Sequence, residues 1–92
     1  MYYVYVLKSL KDNELYTGFT ENLRNRLELH NKGQVKATKY RAPFELVYYE
    51  ACVNKYDALR REKYLKTFYG KKYLKNRLHD YFEEYSTGRG KE

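Results

Sequence analysis

The sequence has very little of what marks a secreted, zinc-binding or membrane protein. Its one cysteine, Cys52, excludes an intramolecular disulfide and a multi-cysteine zinc site. No apolar run approaches the roughly 20 residues that a membrane helix requires, and residues 1–5 lack the basic end and apolar stretch of a signal peptide. These absences predict a single domain in a reducing, cytoplasmic setting, with no membrane partner.

The composition favours an anionic partner. The 92 residues carry 19 Lys+Arg against 12 Asp+Glu, a formal net charge of +7. A small basic domain attracts polyanions, and nucleic acid is the commonest of these inside cells. There are 13 tyrosines and no tryptophan, and phenol rings can pack in a core, stack on bases or donate hydroxyl hydrogen bonds. The composition therefore suggests nucleic acid without establishing it.

Residue patterns predict an α+β domain with the element order β-β-α-β-α-α. Alternating β-branched, aromatic and aliphatic residues predict strands over residues 2–7, 15–19 and 44–52. Helices are predicted over residues 21–31, 55–68 and 71–85, with the first capped by Thr20 or Asn22, the second by Asn54, and with Gly70 separating the last two. We expect a three-stranded antiparallel sheet flanked by helices.

The predicted domain covers residues 1–85, and residues 86–92 are expected to be a frayed tail. Positive charge is concentrated in two parts of this domain. Residues 20–41 hold six basic against two acidic side chains, and residues 55–77 hold nine against two. For any single lysine a solvated surface is the commoner explanation, but two basic segments beside one sheet suit a phosphate backbone.

Glu62 interrupts an apolar stripe of the second predicted helix. The stripe consists of Ala58, Leu59, Leu65 and Tyr69, and Glu62 falls in its middle. A carboxylate there must be paired, bind a metal or open into a cleft, because burying it alone is costly. From the spacing alone, an ion pair with a nearby arginine or lysine is favoured over a metal site.

The first helix and the strands add four more polar side chains. His30 lies on the core-facing line of Leu23 and Leu27, and Arg26 flanks the same face. If the valines of the first strand face one side of the sheet, Tyr5 and Tyr16 point together to the other. These groups and Glu62 would then converge on one concave surface. The alternative is that both tyrosines pack beneath helices.

Four segments in order resemble the GIY-YIG nuclease superfamily. Tyr3-Val4-Tyr5, followed eleven residues after Tyr5 by Tyr16-Thr17-Gly18, resembles the paired motif that names the family. Residues 22–30 are similar to its helix, with an arginine four residues before a histidine, and residues 58–63 to the segment bearing its metal-binding glutamate. Asn76 falls where many members have a late asparagine.

The likeness covers residues 2–78 and points to the small, single-domain bacterial members, related to the N-terminal nuclease module of the bacterial excinuclease. Three positions depart from the motif: Tyr3 replaces Gly, and Val4 and Thr17 each replace Ile.

The resemblance implies a metal-dependent endonuclease that hydrolyses phosphodiester bonds in DNA, in repair or recombination, with Mg²⁺ or Mn²⁺ as the cofactor. Glu62 would hold the metal and Arg26 the scissile phosphate. Tyr5 would be the base, provided that the metal and nearby cations lower its pKa from about 10. Tyr16 would position water or phosphate, and His30 would hydrogen-bond a tyrosine or share the proton transfer. The expected substrate contacts are Gly18, Lys36, Lys39, Arg41 and Asn76.

Two other classes of function remain open. A non-catalytic nucleic-acid-binding module on the same fold would bind without metal-dependent cleavage. An interaction domain for an acidic protein would show no DNA retention at low salt, whereas the first two classes predict steeply salt-dependent retention. A protein partner that targets the activity is compatible with so short a chain.

Overall fold

The computed structural model describes the backbone of residues 1–87 and the side chains of residues 1–84. The elements in chain order are β1 (Tyr2–Ser9), β2 (Leu15–Thr20), α1 (Leu23–Asn31), β3 (Phe44–Cys52), α2 (Lys55–Leu65), α3 (Phe68–Arg77) and α4 (His79–Thr87). Residues 1–62 form one compact unit, and the described residues from Lys63 to Thr87 belong to a second. Among residues 1–87, no helix has the length and apolar character needed to cross a bilayer.

Strand β1 is the centre of an antiparallel sheet with the order β2-β1-β3. Its residues 4–7 are almost entirely buried, since a central strand has neighbours at both edges and here is covered on both faces. This burial explains why residues 2–7 of the strand are an unbroken run of apolar and aromatic residues. The predicted α+β class and three-stranded antiparallel sheet are confirmed.

The register places the two motif tyrosines on one face of the sheet. Tyr5 lies opposite Gly18, and Leu7 lies opposite Tyr16. Val4 and Val6 point to the other face because side chains alternate along a strand. The tyrosine face carries a hydrophobic cluster of Tyr5, Leu7 and Phe44, against which partly buried side chains of β2, β3 and α1 pack, namely Tyr16, Leu46, Leu23 and Leu27.

Helix α1 is fixed at both ends. The Asn22 side chain accepts a hydrogen bond from the Asn25 backbone N–H at 3.1 Å, so Asn22 rather than Thr20 is the N-cap and the helix begins at Leu23. Gly33 follows the helix with a φ of 71°, a left-handed conformation that favours glycine. The Asn31 side chain accepts from the Phe44 N–H at 2.6 Å and donates to the Phe44 carbonyl at 3.4 Å. Asn31 therefore ties the end of α1 to the start of β3.

Between β3 and Thr87 the structure has three helices, so the prediction of two was wrong. Helix α2 ends at Leu65, and Thr67 caps α3 by accepting from the Gly70 N–H at 3.1 Å. Gly70 lies inside α3 instead of separating two helices. A Cβ atom there would collide with the backbone of Tyr64 and Leu65, so its lack of a side chain permits close approach of two segments.

The early end of α2 changes two further expectations. Tyr69 is not part of the α2 stripe, because it belongs to α3, where it is exposed. Helix α4 runs to Thr87 and includes the first two residues of the predicted tail, 86–92. The other five residues of that tail, 88–92, lie outside the described part of the chain.

Asn31→Ala should lower the free energy of unfolding by about 1–2 kcal/mol, because the Phe44 backbone groups lose their hydrogen-bond partners. Asn31→Asp keeps the acceptor for the Phe44 N–H and should lose less. Urea unfolding followed by circular dichroism measures both variants. An unchanged midpoint for Asn31→Ala would contradict the assignment of Asn31 as the connection between α1 and β3.

Candidate active site

The Tyr5 hydroxyl is the meeting point of the polar side chains on the tyrosine face. It forms a hydrogen bond of 2.8 Å with Nε2 of His30, and Nε of Arg26 donates to it at 3.4 Å. The ring of Tyr16 lies 6.4 Å from that of Tyr5 and 5.2 Å from that of His30, between centroids. The predicted convergence of two tyrosines, an arginine and a histidine is therefore what the structure contains.

His30 is completely buried, with 0% of its surface exposed. Its second ring nitrogen, Nδ1, lies 2.7 Å from Oγ1 of Thr38 in the loop before β3, and Phe44 packs against the ring at 5.6 Å. Burial, with a smaller contribution from the charge of Arg26, lowers the pKa of His30 to about 4. The imidazole is therefore neutral at pH 7.

One arrangement of protons satisfies all three contacts. In it, Arg26 donates to the Tyr5 oxygen, the Tyr5 hydroxyl donates to Nε2 of His30, and Nδ1–H of His30 donates to Thr38. Every polar atom in the chain has a partner in this arrangement, as burial requires.

Burial raises the pKa of Tyr5, and the charges of Tyr16 and Glu62 add to this effect, while the hydrogen bond from Arg26 opposes it. The expected lowering of this pKa is conditional on a bound metal, and without a cation the pKa of Tyr5 is raised. A free phenolate is disfavoured, so a proton accepted by Tyr5 requires that its own proton move on to another group.

Gly18 provides the space for the Tyr5 ring. A Cβ atom at Gly18 would collide with the Tyr5 hydroxyl and with the ring carbon that bears it. The two residues lie directly opposite each other on neighbouring strands. Glycine at this position is therefore a requirement of Tyr5, independently of any contact with substrate.

Glu62 lies on α2, which an ion pair holds to the sheet. Arg61 donates two hydrogen bonds to the Glu50 carboxylate, both at 2.9 Å, and the Tyr48 hydroxyl donates a third at 2.8 Å. Burial alone would raise the pKa of Glu50, but these hydrogen bonds outweigh it and the pKa is lowered. The neighbouring Glu62 is half-buried, and it is close enough to Tyr5 for its charge to act on the phenol.

Among residues 1–87, no group of three or more histidine, cysteine or acidic side chains is placed to hold a metal ion. A single carboxylate still fits Mg²⁺, which retains several waters and takes one or two protein carboxylates together with substrate phosphate. Glu62 is the carboxylate that meets this description next to Tyr5.

The predicted substrate contacts occupy different settings. Lys36 and Lys39 are exposed in the loop before β3, with Lys39 4.8 Å above the ring of Tyr40. Arg41 is half-buried, and its Nε donates to Asp12 at 2.9 Å, which connects this loop to the β1–β2 turn. Asn76 is exposed on α3, in the second unit.

Thr38 and Glu50 support the site and were not found from the sequence. Thr38 sits in a polar, basic loop whose pattern gives no sign that one hydroxyl is buried against His30. Glu50 did carry a signal, because an acidic residue interrupts the apolar strand β3. Its partner, Arg61, directly precedes Glu62.

Comparison with known proteins identifies the class to which this fold and site belong. Residues 1–76 match the family model described as the GIY-YIG catalytic domain. The chain belongs to the GIY-YIG family, and the resemblance expected from its motifs is confirmed.

The chain is also similar to several small bacterial relatives. It is 48% identical over 75 residues to a UPF0213 protein of Staphylococcus haemolyticus, covering 80% of this chain and 90% of the relative. It is 51% identical over 67 residues to one of Clostridium perfringens, covering 72% and 71%. The solution structure of a UPF0213 protein from Bacillus halodurans is 37% identical, with a TM-score of 0.49, covering 80% of this chain and 82% of that one.

The pKa of His30 predicts how stability depends on pH. Its value is lowered from 6.5 to about 4 in the folded protein, so the unfolded chain binds more protons between these values. The stability of the fold that depends on a neutral His30 is fully present above pH 6.5 and is lost as pH falls toward 4. The free energy of unfolding should fall by about 3 kcal/mol in total. Urea unfolding at a series of pH values measures this loss.

The comparison is made between pH 6.5 and 4.5, because the carboxylates with lowered pKa, Asp12 and Glu50, lose their contributions at lower pH. In this interval His30→Gln should remove most of the pH dependence of the free energy of unfolding. The control variant His79→Gln, which changes an exposed histidine, should keep that pH dependence. Equal pH dependence in wild type and His30→Gln would show that His30 is not the titrating group.

Proposed function

We propose that this protein is a metal-dependent endonuclease that hydrolyses phosphodiester bonds in DNA, with a role in DNA repair or recombination. The observation that supports this best is the hydrogen-bonded series Tyr5–His30–Thr38, with Arg26 donating to the same Tyr5 oxygen. A buried neutral imidazole and a guanidinium on one phenol combine a proton acceptor with a phosphate-binding cation.

The proposed reaction begins with attack of water on phosphorus. Tyr5 takes the proton of the attacking water while its own proton passes to Nε2 of His30, which is unprotonated at pH 7 because its pKa is about 4. A phosphorus–oxygen bond forms to the water oxygen, and the ester bond to the leaving oxygen breaks. The leaving oxygen takes a proton from solvent, and the imidazolium then returns its proton to Tyr5, which releases the proton taken from water to solvent.

Arg26 stabilises the charge that develops on the phosphate. Its Nε is directed at Tyr5, so its terminal amino groups can bind two phosphate oxygens in the planar geometry of the guanidinium. Tyr16, which is half-buried beside Tyr5 and His30, orients the attacking water or a phosphate oxygen through its hydroxyl. Preorganised donors of this kind are among the largest contributions to catalysis.

Glu62 would hold the divalent cation, Mg²⁺ or Mn²⁺. When bound, the cation supplies Lewis-acid stabilisation of the phosphate oxygens. The ion pair between Arg61 and Glu50 contributes by fixing α2, and with it Glu62, relative to β3. Glu50 and Arg61 are thus positioning residues.

The DNA backbone is proposed to contact Gly18, Lys36, Lys39, Arg41 and Asn76. The two exposed lysines offer their charge directly, whereas Arg41 shares its charge with Asp12. The net charge of +7 favours binding through counterion release, so affinity should fall steeply with added salt.

Arg26→Ala and Glu62→Gln should each reduce DNA cleavage by about 100-fold or more, because each removes stabilisation of the transition-state charge. Binding in EDTA should fall only modestly. The measurement is cleavage of labelled single-stranded, duplex and branched DNA in Mg²⁺, Mn²⁺ or EDTA, with binding followed in parallel.

Arg24→Ala and Glu28→Gln are matched controls, because both side chains are exposed on α1. These variants should cleave at the wild-type rate. Wild-type cleavage by Arg26→Ala and Glu62→Gln would overturn the site assignment. Retention of DNA by the wild type with no cleavage under any metal condition would instead support a binding module on the same fold.

A further inference from the structure

The tyrosine face of the sheet continues beyond Tyr5 to a pair of aromatic side chains that the proposed reaction does not use. Tyr49 of β3 lies directly opposite Tyr5 in the register, and Tyr3 is two residues before Tyr5 on β1. All three side chains therefore share one face. The rings of Tyr3 and Tyr49 are in edge contact, with centroids 6.1 Å apart and planes inclined at 61°.

This pair differs from the rest of the face in its exposure. Tyr5, in the same cross-strand row, is 1% exposed, whereas Tyr49 is 53% exposed. Its edge contact with Tyr3 orients the ring without covering it. A large, oriented and half-exposed aromatic surface next to a buried polar site offers a stacking partner with little conformational entropy left to lose.

We propose that Tyr49, supported by Tyr3, stacks against an unpaired base of the DNA strand being cleaved. The inference deepens the proposed function and rests on it for the position of the scissile phosphate, at Arg26 and Tyr5. Directly opposite residues on antiparallel strands have Cβ atoms only about 5 Å apart, so Tyr49 is within reach of a nucleoside attached to that phosphate. The net charge of +7 complements the strand.

The base that stacks on Tyr49 must be one that is not paired within a double helix. Inside a duplex both faces of a base are covered by its neighbours, so a tyrosine ring can stack on it only when the strand is single or the base is splayed out. The substrate class is therefore single-stranded DNA or an unpaired end or flap, and Tyr49 acts as a specificity residue.

Binding in EDTA tests the proposal without requiring cleavage. The probes are a fluorescent single-stranded DNA and a blunt duplex of the same sequence, and the variants are Tyr49→Ala and Tyr49→Phe. Loss of one base–aromatic stack should weaken single-strand binding by about tenfold or more. Tyr49→Phe keeps the ring and should bind as the wild type does, and duplex affinity should be unchanged in both variants.

Tyr56→Ala is the control, because Tyr56 is 72% exposed but lies on α2 and not on the sheet. It should leave single-strand affinity unchanged, and unfolding midpoints verify that each variant is folded. Three results would overturn the proposal: wild-type single-strand affinity in Tyr49→Ala, equal losses in the Ala and Phe variants, or equal losses for single strand and duplex. If the wild type cleaves DNA but Tyr49→Ala binds single-stranded DNA with wild-type affinity, the proposed nuclease function is kept and the stacking role of Tyr49 is rejected.

Discussion

The 2.8 Å hydrogen bond between the Tyr5 hydroxyl and Nε2 of His30 is the constraint on which the rest of the first unit depends. Both side chains are buried, and a buried polar group without a partner is costly. Satisfying them requires Thr38 against Nδ1 and a glycine at position 18 beneath the phenol. Fold and chemistry therefore depend on the same contacts, since the burial that these contacts accompany is also what lowers the pKa of the histidine.

Strand β3 holds both helices that carry the proposed site residues, α1 and α2. Its first residue, Phe44, is held by Asn31 at the end of α1, and Glu50 near its other end is held by Arg61 of α2. Arg26 and Glu62 are thereby positioned from the same strand, although 36 residues separate them in the sequence. Because β3 pairs with β1 along most of its length, both helices are also fixed relative to Tyr5.

Side-chain periodicity was sufficient to predict the sheet, the sharing of one face by Tyr5 and Tyr16, and the inward orientation of His30, because alternation and helical spacing determine which side chains share a face. It did not predict the break at Thr67, where a local cap competes with a continuous apolar pattern, nor the burial of Thr38, which depends on how a loop folds over His30. The direction of the Tyr5 pKa shift in the metal-free protein could not be predicted from the sequence either. It depends on burial, which raises the pKa by more than the hydrogen bond from Arg26 lowers it.

The central claim is that the Tyr5 oxygen receives the proton of the attacking water, and the rate of DNA cleavage by Tyr5→Phe tests it most directly. This variant removes one oxygen atom and leaves the ring that fills the space above Gly18. The account predicts a rate lower by about 100-fold or more, with DNA binding in EDTA retained and a folded protein by circular dichroism. Cleavage by the folded variant within a few-fold of the wild-type rate would contradict it.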